Sequence, residues 1–266
     1  MKPADIARIK KLLPTSLGSE AIRAKIAADI LRRSIFSARM AVAGYLARLR
    51  EVLAQMLEGI IAQATARDIL EGILDGMGYS MSDGGGLTNP ASIRRLDLIL
   101  ETQTQMAASV AKSHEQTESV VNLFPAWALQ RLESRRAPRE DWLARWNAAG
   151  SSVGWEGAKN EPWYGSGASF AFVALKSSPI WAALGRGAGG FNDTLGNPYP
   201  PFAYSSGMGW EEVGRETAEN LGLVKKGETL AALGAKSLSP ASEEIADAAK
   251  RHGFDFESFA RGLQYG

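Results

Sequence analysis

An arginine-rich stretch with interleaved tryptophans is the part of the sequence whose side chains could do the most specific chemistry. Five arginines fall within fifteen positions: Arg131, Arg135, Arg136, Arg139 and Arg145. Three tryptophans lie among or beside them: Trp127, Trp142 and Trp146. Cations that contact phosphates and rings that stack on bases together make a surface for nucleic acid. The stretch is therefore a candidate contact with DNA or with an acidic partner.

Acidic side chains in the same stretch support a simpler interpretation. Glu133, Glu140 and Asp141 lie between the arginines, so the local net charge is only mildly positive. A face of this kind is usually solvated and paired internally. We favour internal pairing, and the contact with DNA or an acidic partner stays open as the alternative.

Other patterns offer weaker starting points for chemistry. The run GRGAGG at 185–190 has no P-loop lysine and predicts a turn rather than a phosphate loop. Ser205-Ser206-Gly207 lacks the nucleophile-elbow pattern of a hydrolase. Two acidic pairs have the spacing of ordinary surface acids: Glu211 with Glu212, and Asp193 with Glu216. We therefore expect no catalytic residues and no enzyme, with a hydrolase built on carboxylates of 191–216 as the least favoured alternative.

The composition limits the remaining kinds of site. The chain has 266 residues, with 30 basic and 29 acidic side chains and a formal net charge of +1, which does not indicate a generally basic nucleic-acid binder. There is no cysteine, and His114 and His252 lie far apart, so we expect no disulfide, metal or cofactor. No apolar run is long enough to span a membrane, and no secretion signal opens the chain. These features predict a soluble protein of a reducing compartment.

The elements that position these side chains divide into two halves by composition. Apolar residues recur every three or four positions from Val42 to Ile61, which is the period of an amphipathic helix. Residues 37–75 predict one long helix, or two with a break near Gly59. Asn89-Pro90 predicts the start of a further helix that runs to about residue 112. Because all seven tryptophans follow residue 122, we predict a helical domain at 1–122 and an aromatic, loop-rich α+β domain at 123–266.

The second half is predicted to hold a small sheet among short helices. The run SFAFVALK at 169–176 is the best strand candidate, and residues 124–136 could contain a strand or a short helix. Helix-capping residues and apolar residues at helical spacing predict helices at 138–150, 209–222, 239–253 and 255–263. The predicted fold class is α+β and mostly helical.

The segment Ala174–Trp210 has neither a helical nor a strand period. Its prolines lack a backbone donor, and its glycines allow positive φ. Its six aromatic rings argue against disorder, because large rings stabilise a chain by burial. We predict an irregular but ordered segment held by anchors. The expected anchors are Trp181, Tyr199, Pro200, Pro201, Phe202 and Trp210.

Four motifs, in order along the chain, resemble phage minor head proteins of the Mu F-like, head-morphogenesis family. They are RRSIFSARMAVAGYLARL, RLDLILETQTQMA, FPAWALQRLESRRAPREDWLARWNAAG and DTLGNPYPPFAYSSGMGW, spread over about residues 30–215. The paired prolines Pro200-Pro201 after a Gly-x-Pro turn are similar to the family's C-terminal signature. The resemblance implies a structural protein of the virion head, assembled in the host cytoplasm and working beside the portal and the major capsid protein. Packaged DNA is a further partner that the resemblance leaves open.

Two departures from the family pattern limit what is carried over. Many relatives have a histidine and then a Cys-Arg-Cys-like ending after the paired prolines, where this chain has Ala203 and then Ser206-Gly207-Met208. Many also have a histidine after the arginine-proline motif, where this chain has Glu140, Asp141 and Trp142. A metal-binding or histidine-dependent role is therefore not expected here.

Overall fold

A computed structural model describes residues 1–26, 28–79, 86–135, 137–154 and 172–233 of the chain. The fold is α+β and mostly helical, which confirms the predicted class. Contacts divide the chain between Ala108 and Ser109, into a unit whose described residues lie within 1–108 and a second unit, Ser109–Ala235. The composition predicted a boundary near residue 122, because all the tryptophans follow that position.

The first unit opens with short elements. They are α1 (Pro3–Ile9), β1 (Lys11–Leu12), α2 (Ser19–Lys25), α3 (Ala28–Arg32) and β2 (Ser34–Ile35). The two strands pair in parallel, with Lys11 opposite Ser34 and Leu12 opposite Ile35. An isolated bridge between Thr15 and Met40 continues the contact between the two segments.

Two helices follow where the sequence predicted one long helix or two. Helix α4 spans Ala43–Leu57, and α5 spans Gln63–Gly76. The break lies at Gly59, whose φ of 73° favours glycine over a residue with a Cβ. The two helices pack together through the apolar stripe of α4, which is buried in the core of this unit.

Helix α6 spans Ile93–His114 and begins later than predicted. The side chain of Asn89 accepts a hydrogen bond from the backbone N–H of Ala91 (3.0 Å), so it closes a turn ahead of the helix. Ser92 Oγ accepts from the backbone N–H of Arg95 (3.3 Å) and takes the capping position instead. The predicted cap was therefore wrong by three positions, because the Asn89 side chain is used in the preceding turn.

The second unit is built on a three-stranded antiparallel sheet. Its elements are α7 (Glu118–Leu123), β3 (Ala126–Arg131), α8 (Trp142–Ser152), β4 (Val173–Leu175), α9 (Ile180–Gly185), β5 (Met208–Val213) and α10 (Arg215–Asn220). The strand order is β4-β3-β5, and Ala126 faces both Leu175 and Val213. The described part of the strand predicted at 169–176 forms β4.

Two predictions for this unit were wrong. Residues 210–213 belong to β5 rather than to a helix, because their backbone pairs with β3 along its whole length. The segment Ala174–Trp210 contains α9, so it is not irregular throughout. Pro179 immediately precedes that helix, where its missing N–H leaves no helical hydrogen bond unmade. The helices predicted at 239–253 and 255–263 lie outside the described residues.

None of the helices in the described ranges is long and apolar enough to cross a membrane.

Candidate functional site

Arg131, at the end of β3, joins two neighbouring segments through its guanidinium group. It donates to the carbonyl oxygens of Ser206 (2.8 Å) and Arg139 (2.9 Å). Arg135 is paired nearby with Glu133 (2.7 Å), as its sequence spacing suggested. Arg136 lies outside the described residues. The guanidinium groups of Arg131 and Arg135 therefore both bond to other groups of this chain.

Arg145 forms the centre of the ion pairs in this region. Its side chain is 6% exposed and reaches Asp193 Oδ1 (2.8 Å) and Asp141 Oδ2 (2.9 Å). Arg139 Nε lies 2.9 Å from Asp193 Oδ2. The guanidinium carbon of Arg145 also lies 4.3 Å from the ring centre of Phe191. Two arginines and two carboxylates thus neutralise one another, with an aromatic ring against the buried cation.

The pKa values of this cluster follow from burial and charge. Burial would raise the pKa of Asp193, but the hydrogen bond and charge of Arg145, with the charge of Arg139, hold that pKa below its ordinary value. Burial opposes ionisation of Arg145, and its bonds to Asp141 and Asp193 nevertheless raise its pKa. Both shifts favour the charged forms of Asp193 and Arg145, as a structural ion-pair cluster requires.

The tryptophans that were candidates for base stacking lie in the interior. Trp127, Trp142 and Trp146 are buried. Trp127 stacks on Trp210 with ring centres 3.7 Å apart, and Trp146 meets Trp181 edge-on at 5.5 Å. Trp127 and Trp146 are therefore packed against other rings, and Arg145 lies over the ring of Trp142 at 5.3 Å. Residues 127–146 do not form the stacking surface that the sequence suggested.

The expected anchors of the segment 174–210 are all buried, and they come from different elements. Trp181 lies on α9 and Trp210 on β5, whereas Tyr199, Pro200, Pro201 and Phe202 lie in the loop between them. The indole N–H of Trp181 donates to the carbonyl of Leu175 (2.9 Å). The ring of Phe202 lies 6.0 Å from that of Trp181. The rings of Trp181, Phe202 and Trp210 form one aromatic cluster with that of Trp127 on β3.

Glycines bring the backbone of this segment into close contact. A Cβ at Gly185 would lie 1.6 Å from the backbone oxygen of Asn197, and one at Gly187 would lie 1.9 Å from that of Phe191. The run 185–190 follows the C-terminal end of α9, where carbonyl groups point outward and repel phosphate. It is therefore a packed turn, in agreement with the sequence-based prediction.

An ion pair between a buried lysine and a half-buried glutamate was missed by sequence reasoning. The side chain of Lys176 is 0% exposed, and its Nζ lies 2.6 Å from Glu212 Oε2 and 2.5 Å from Gln116 Oε1. Lys112 Nζ lies 3.4 Å from the other oxygen of Glu212, to which the indole N–H of Trp127 also donates (3.1 Å). Burial lowers the pKa of Lys176, and Glu212 opposes that shift. The carboxylate is held by two ammonium groups and an indole.

The carboxylate pairs considered as catalytic do not form. Glu211 and Glu212 are adjacent on β5, so their side chains point to opposite faces of the sheet, and Glu211 is exposed. Asp193 is bound to arginines, and Glu216 is exposed on α10. Side chains alternate between the two faces along a strand, and this separates Glu211 from Glu212. The sequence analysis could not use this signal, because it predicted a helix there.

The remaining candidates have structural contacts. Ser206 Oγ contacts the carbonyl of Pro201 (2.5 Å) and accepts from the backbone N–H of Met208 (3.2 Å). His114 is half-buried at the end of α6, and His252 lies outside the described residues. Within the described part of the chain, no three histidine or acidic side chains gather as metal ligands.

No protein-family model, no curated protein and no solved structure matches this chain.

Proposed function

We propose that this protein is a structural component of a phage head, a minor head protein that acts in capsid morphogenesis beside the portal and the major capsid protein. The phage head is proposed as the assembly because four motifs of the chain resemble phage minor head proteins. The structural role is supported by the contacts of the arginine and tryptophan side chains in the stretch 127–146. Arg131, Arg139 and Arg145 bond to acceptors within the second unit, and the tryptophans between them are buried.

An exposed apolar pair supports contacts with other proteins. Leu123 and Phe124 are consecutive residues at the end of α7, and both side chains are exposed. Adjacent exposed apolar side chains gain free energy when a partner covers them. This pair lies beside β3, which is fixed in the centre of the sheet, so it is presented on a rigid support.

The proposal is tested on particles. Procapsids and mature virions of the phage that encodes the chain are purified, and each is probed with an antibody raised against the whole protein. We expect the protein in at least one of these particles, in few copies. Its absence from both would contradict the proposal.

A virion-bound copy that is removed by nuclease treatment would instead favour the nucleic-acid alternative. Particles that retain the protein after their DNA has been digested would support the structural role. The chain has no native cysteine, so single cysteines at Leu123 or Phe124 allow site-specific cross-linking within the same particles.

A further inference from the structure

A buried arginine in the first unit holds two surface segments together, and among the described residues it has no carboxylate partner. Arg95, on α6, donates to Ser37 Oγ (2.7 Å) and to the carbonyl of Ala38. Its other terminal nitrogen donates to the carbonyls of Leu87 (3.4 Å) and Thr88 (3.3 Å). Its charge is therefore solvated by neutral oxygens, and no anion of the described ranges bonds to it.

A second arginine lies next to it at the surface. Arg39 is exposed, and its guanidinium lies against Gly18. No ion pair involves Arg39 within the described part of the chain. Its φ of 59° is a conformation that a residue with a Cβ rarely adopts, and strained residues of this kind cluster at binding sites. Burial lowers the pKa of Arg95, and the nearby charge of Arg39 lowers it further, so the two cations repel one another.

Exposed apolar side chains accompany this charge. Leu87, whose carbonyl lies on Arg95, is 57% exposed. Val42, three residues after Arg39, is 41% exposed at the start of α4. We call Arg39, Val42, Leu87 and the underlying Arg95 the Arg39 patch. It combines aliphatic surface with positive charge that forms no ion pair among the residues that the structure describes.

The charge of the surrounding segment has the same sign. Residues 1–50 contain eleven basic and three acidic side chains, a net charge of +8, whereas the whole chain carries only +1. Lys11, Arg23, Lys25 and Arg48 are exposed, and among the described residues they form no ion pair. Part of this charge is compensated, because Arg8 pairs with Glu51 and Glu58, which lie just outside the segment. The exposed cations that remain favour an acidic partner.

We propose that the Arg39 patch is a docking surface for an acidic, amphipathic segment of a partner protein. A carboxylate of the partner would pair with Arg39, and its apolar side chains would cover Leu87 and Val42. An acidic protein fits better than nucleic acid, because a phosphate backbone offers nothing apolar to cover these two side chains. The inference names a partner class for the assembly role proposed above and takes its biological setting from it.

The test measures binding of the purified full-length protein to a synthetic helical peptide with leucine on one face and glutamate on the other. Fluorescence anisotropy of the labelled peptide gives the affinity of the wild type and of Arg39→Gln and Leu87→Ser. We expect each change to weaken binding about fivefold, as for one exposed ion pair or one half-buried leucine. Lys226→Gln and Ile60→Ser are the matched controls, because both side chains are exposed elsewhere, and they should leave the affinity unchanged.

Two further measurements test whether charge drives the binding, and a third establishes that the variants are folded. A peptide with glutamine in place of glutamate should bind more weakly, and raising the salt should weaken the glutamate peptide's binding to the wild type more than to Arg39→Gln. Circular dichroism and thermal unfolding establish that each variant is folded.

The proposal is overturned by any of three results: no binding of the glutamate peptide, equal loss in the controls, or equal binding of the glutamine peptide. Tighter binding of a short DNA duplex that depends on Arg39 but not on Leu87 would also overturn it. Because purified protein is used, failure here leaves the particle assay of the proposed function unaffected.

Discussion

Lys10 is a buried lysine of the first unit, and burying its charge is costly. It is buried beside α4, and its Nζ donates to Gln103 Oε1 (2.8 Å), which supplies a hydrogen bond but no negative charge. Burial lowers the pKa of Lys10 from 10.5 to about 7. Below pH 7 the ammonium is protonated in both the folded and unfolded states, so the folded state carries the full cost. That cost is relieved as the pH rises from about 7 towards 10.5, so this group makes the protein more stable at alkaline pH.

Replacing Lys10 with methionine should therefore stabilise the protein, and most strongly at low pH. The gap between the two pKa values corresponds to about 5 kcal/mol at most. Methionine leaves Gln103 without its hydrogen-bond partner, and this reduces the stabilisation by about 1–3 kcal/mol. We expect a net gain of roughly 2–4 kcal/mol near pH 6 that disappears by about pH 10. Urea unfolding at several pH values measures it.

Lys11→Met is the control, because that lysine is exposed on β1 and its replacement should change the free energy of unfolding by less than about 0.5 kcal/mol. A gain for Lys10→Met that is the same at pH 6 and pH 10 would show that Lys10 is not titrating in this range.

At the scale of elements, the end of α9 depends on a glycine that no other residue can replace. A Cβ at Gly185 would meet the backbone of Asn197, which cannot move away as a flexible side chain can. Gly72, inside α5, has nothing within 4 Å of its Cβ position. The same substitution should thus have opposite effects at the two sites.

We expect Gly185→Ala to destabilise the protein by at least about 3 kcal/mol, because the overlap forces α9 away from the loop. Gly72→Ala should stabilise it by roughly 0.5–1 kcal/mol, the gain of alanine over glycine within a helix. Thermal or urea unfolding of both variants provides the comparison. A neutral Gly185→Ala would mean that the contact between α9 and residue 197 is looser than described.

The aromatic cluster joins α9 to β5 and should behave as one packed unit. Trp181 and Trp210 are both buried, and their ring centres lie 5.7 Å apart. Changing either to alanine should cost roughly 3–5 kcal/mol, as for other buried aromatic residues. Phe124→Ala is the control, since that ring is exposed, and it should change the free energy of unfolding by less than about 1 kcal/mol. A loss of similar size in all three variants would argue against the cluster as the source of stability.

At the scale of the whole molecule, the two non-enzyme functions differ in their response to salt. Phosphate contacts give a slope of about −0.9 per contact when affinity for duplex DNA is plotted against salt on logarithmic axes. Because Arg131 and Arg139 bond to other groups of the chain, we expect weak DNA binding at low salt. Changing Arg131, Arg135, Arg136 and Arg139 together to glutamine should leave that weak binding unaltered and lower the free energy of unfolding.

The measurement is DNA-binding anisotropy at several salt concentrations, with urea unfolding of the same samples. Tight, salt-sensitive binding that the four changes abolish would reverse the ranking, and a nucleic-acid module would then be the better description of the protein.

Local patterns were enough to predict the helices α4 and α5, although not the short strands β1 and β2 of the same unit. The stripe from Val42 to Ile61 fixes one face of α4, and a single glycine at position 59 suffices to end it, because both signals lie within one or two helical turns. The same holds for α8, and for the internal pairing of Arg135 with Glu133 and of Arg145 with Asp141, where the partners are two and four residues apart. Composition also indicated correctly that the anchors of the segment 174–210 would be buried.

Only the tertiary structure decided the contents of the second unit. Residues 209–222 carry the charges and caps of a helix, but their first part becomes β5 because β3, about 80 residues earlier, offers it a complete set of backbone partners. Asp193 reaches Arg145 across 48 positions, and Glu212 reaches Lys176 from another strand. Periodicity records how a segment relates to its own neighbours along the chain. Which strand pairs with which, and which carboxylate neutralises a buried cation, depends on free energy gained only when distant segments meet.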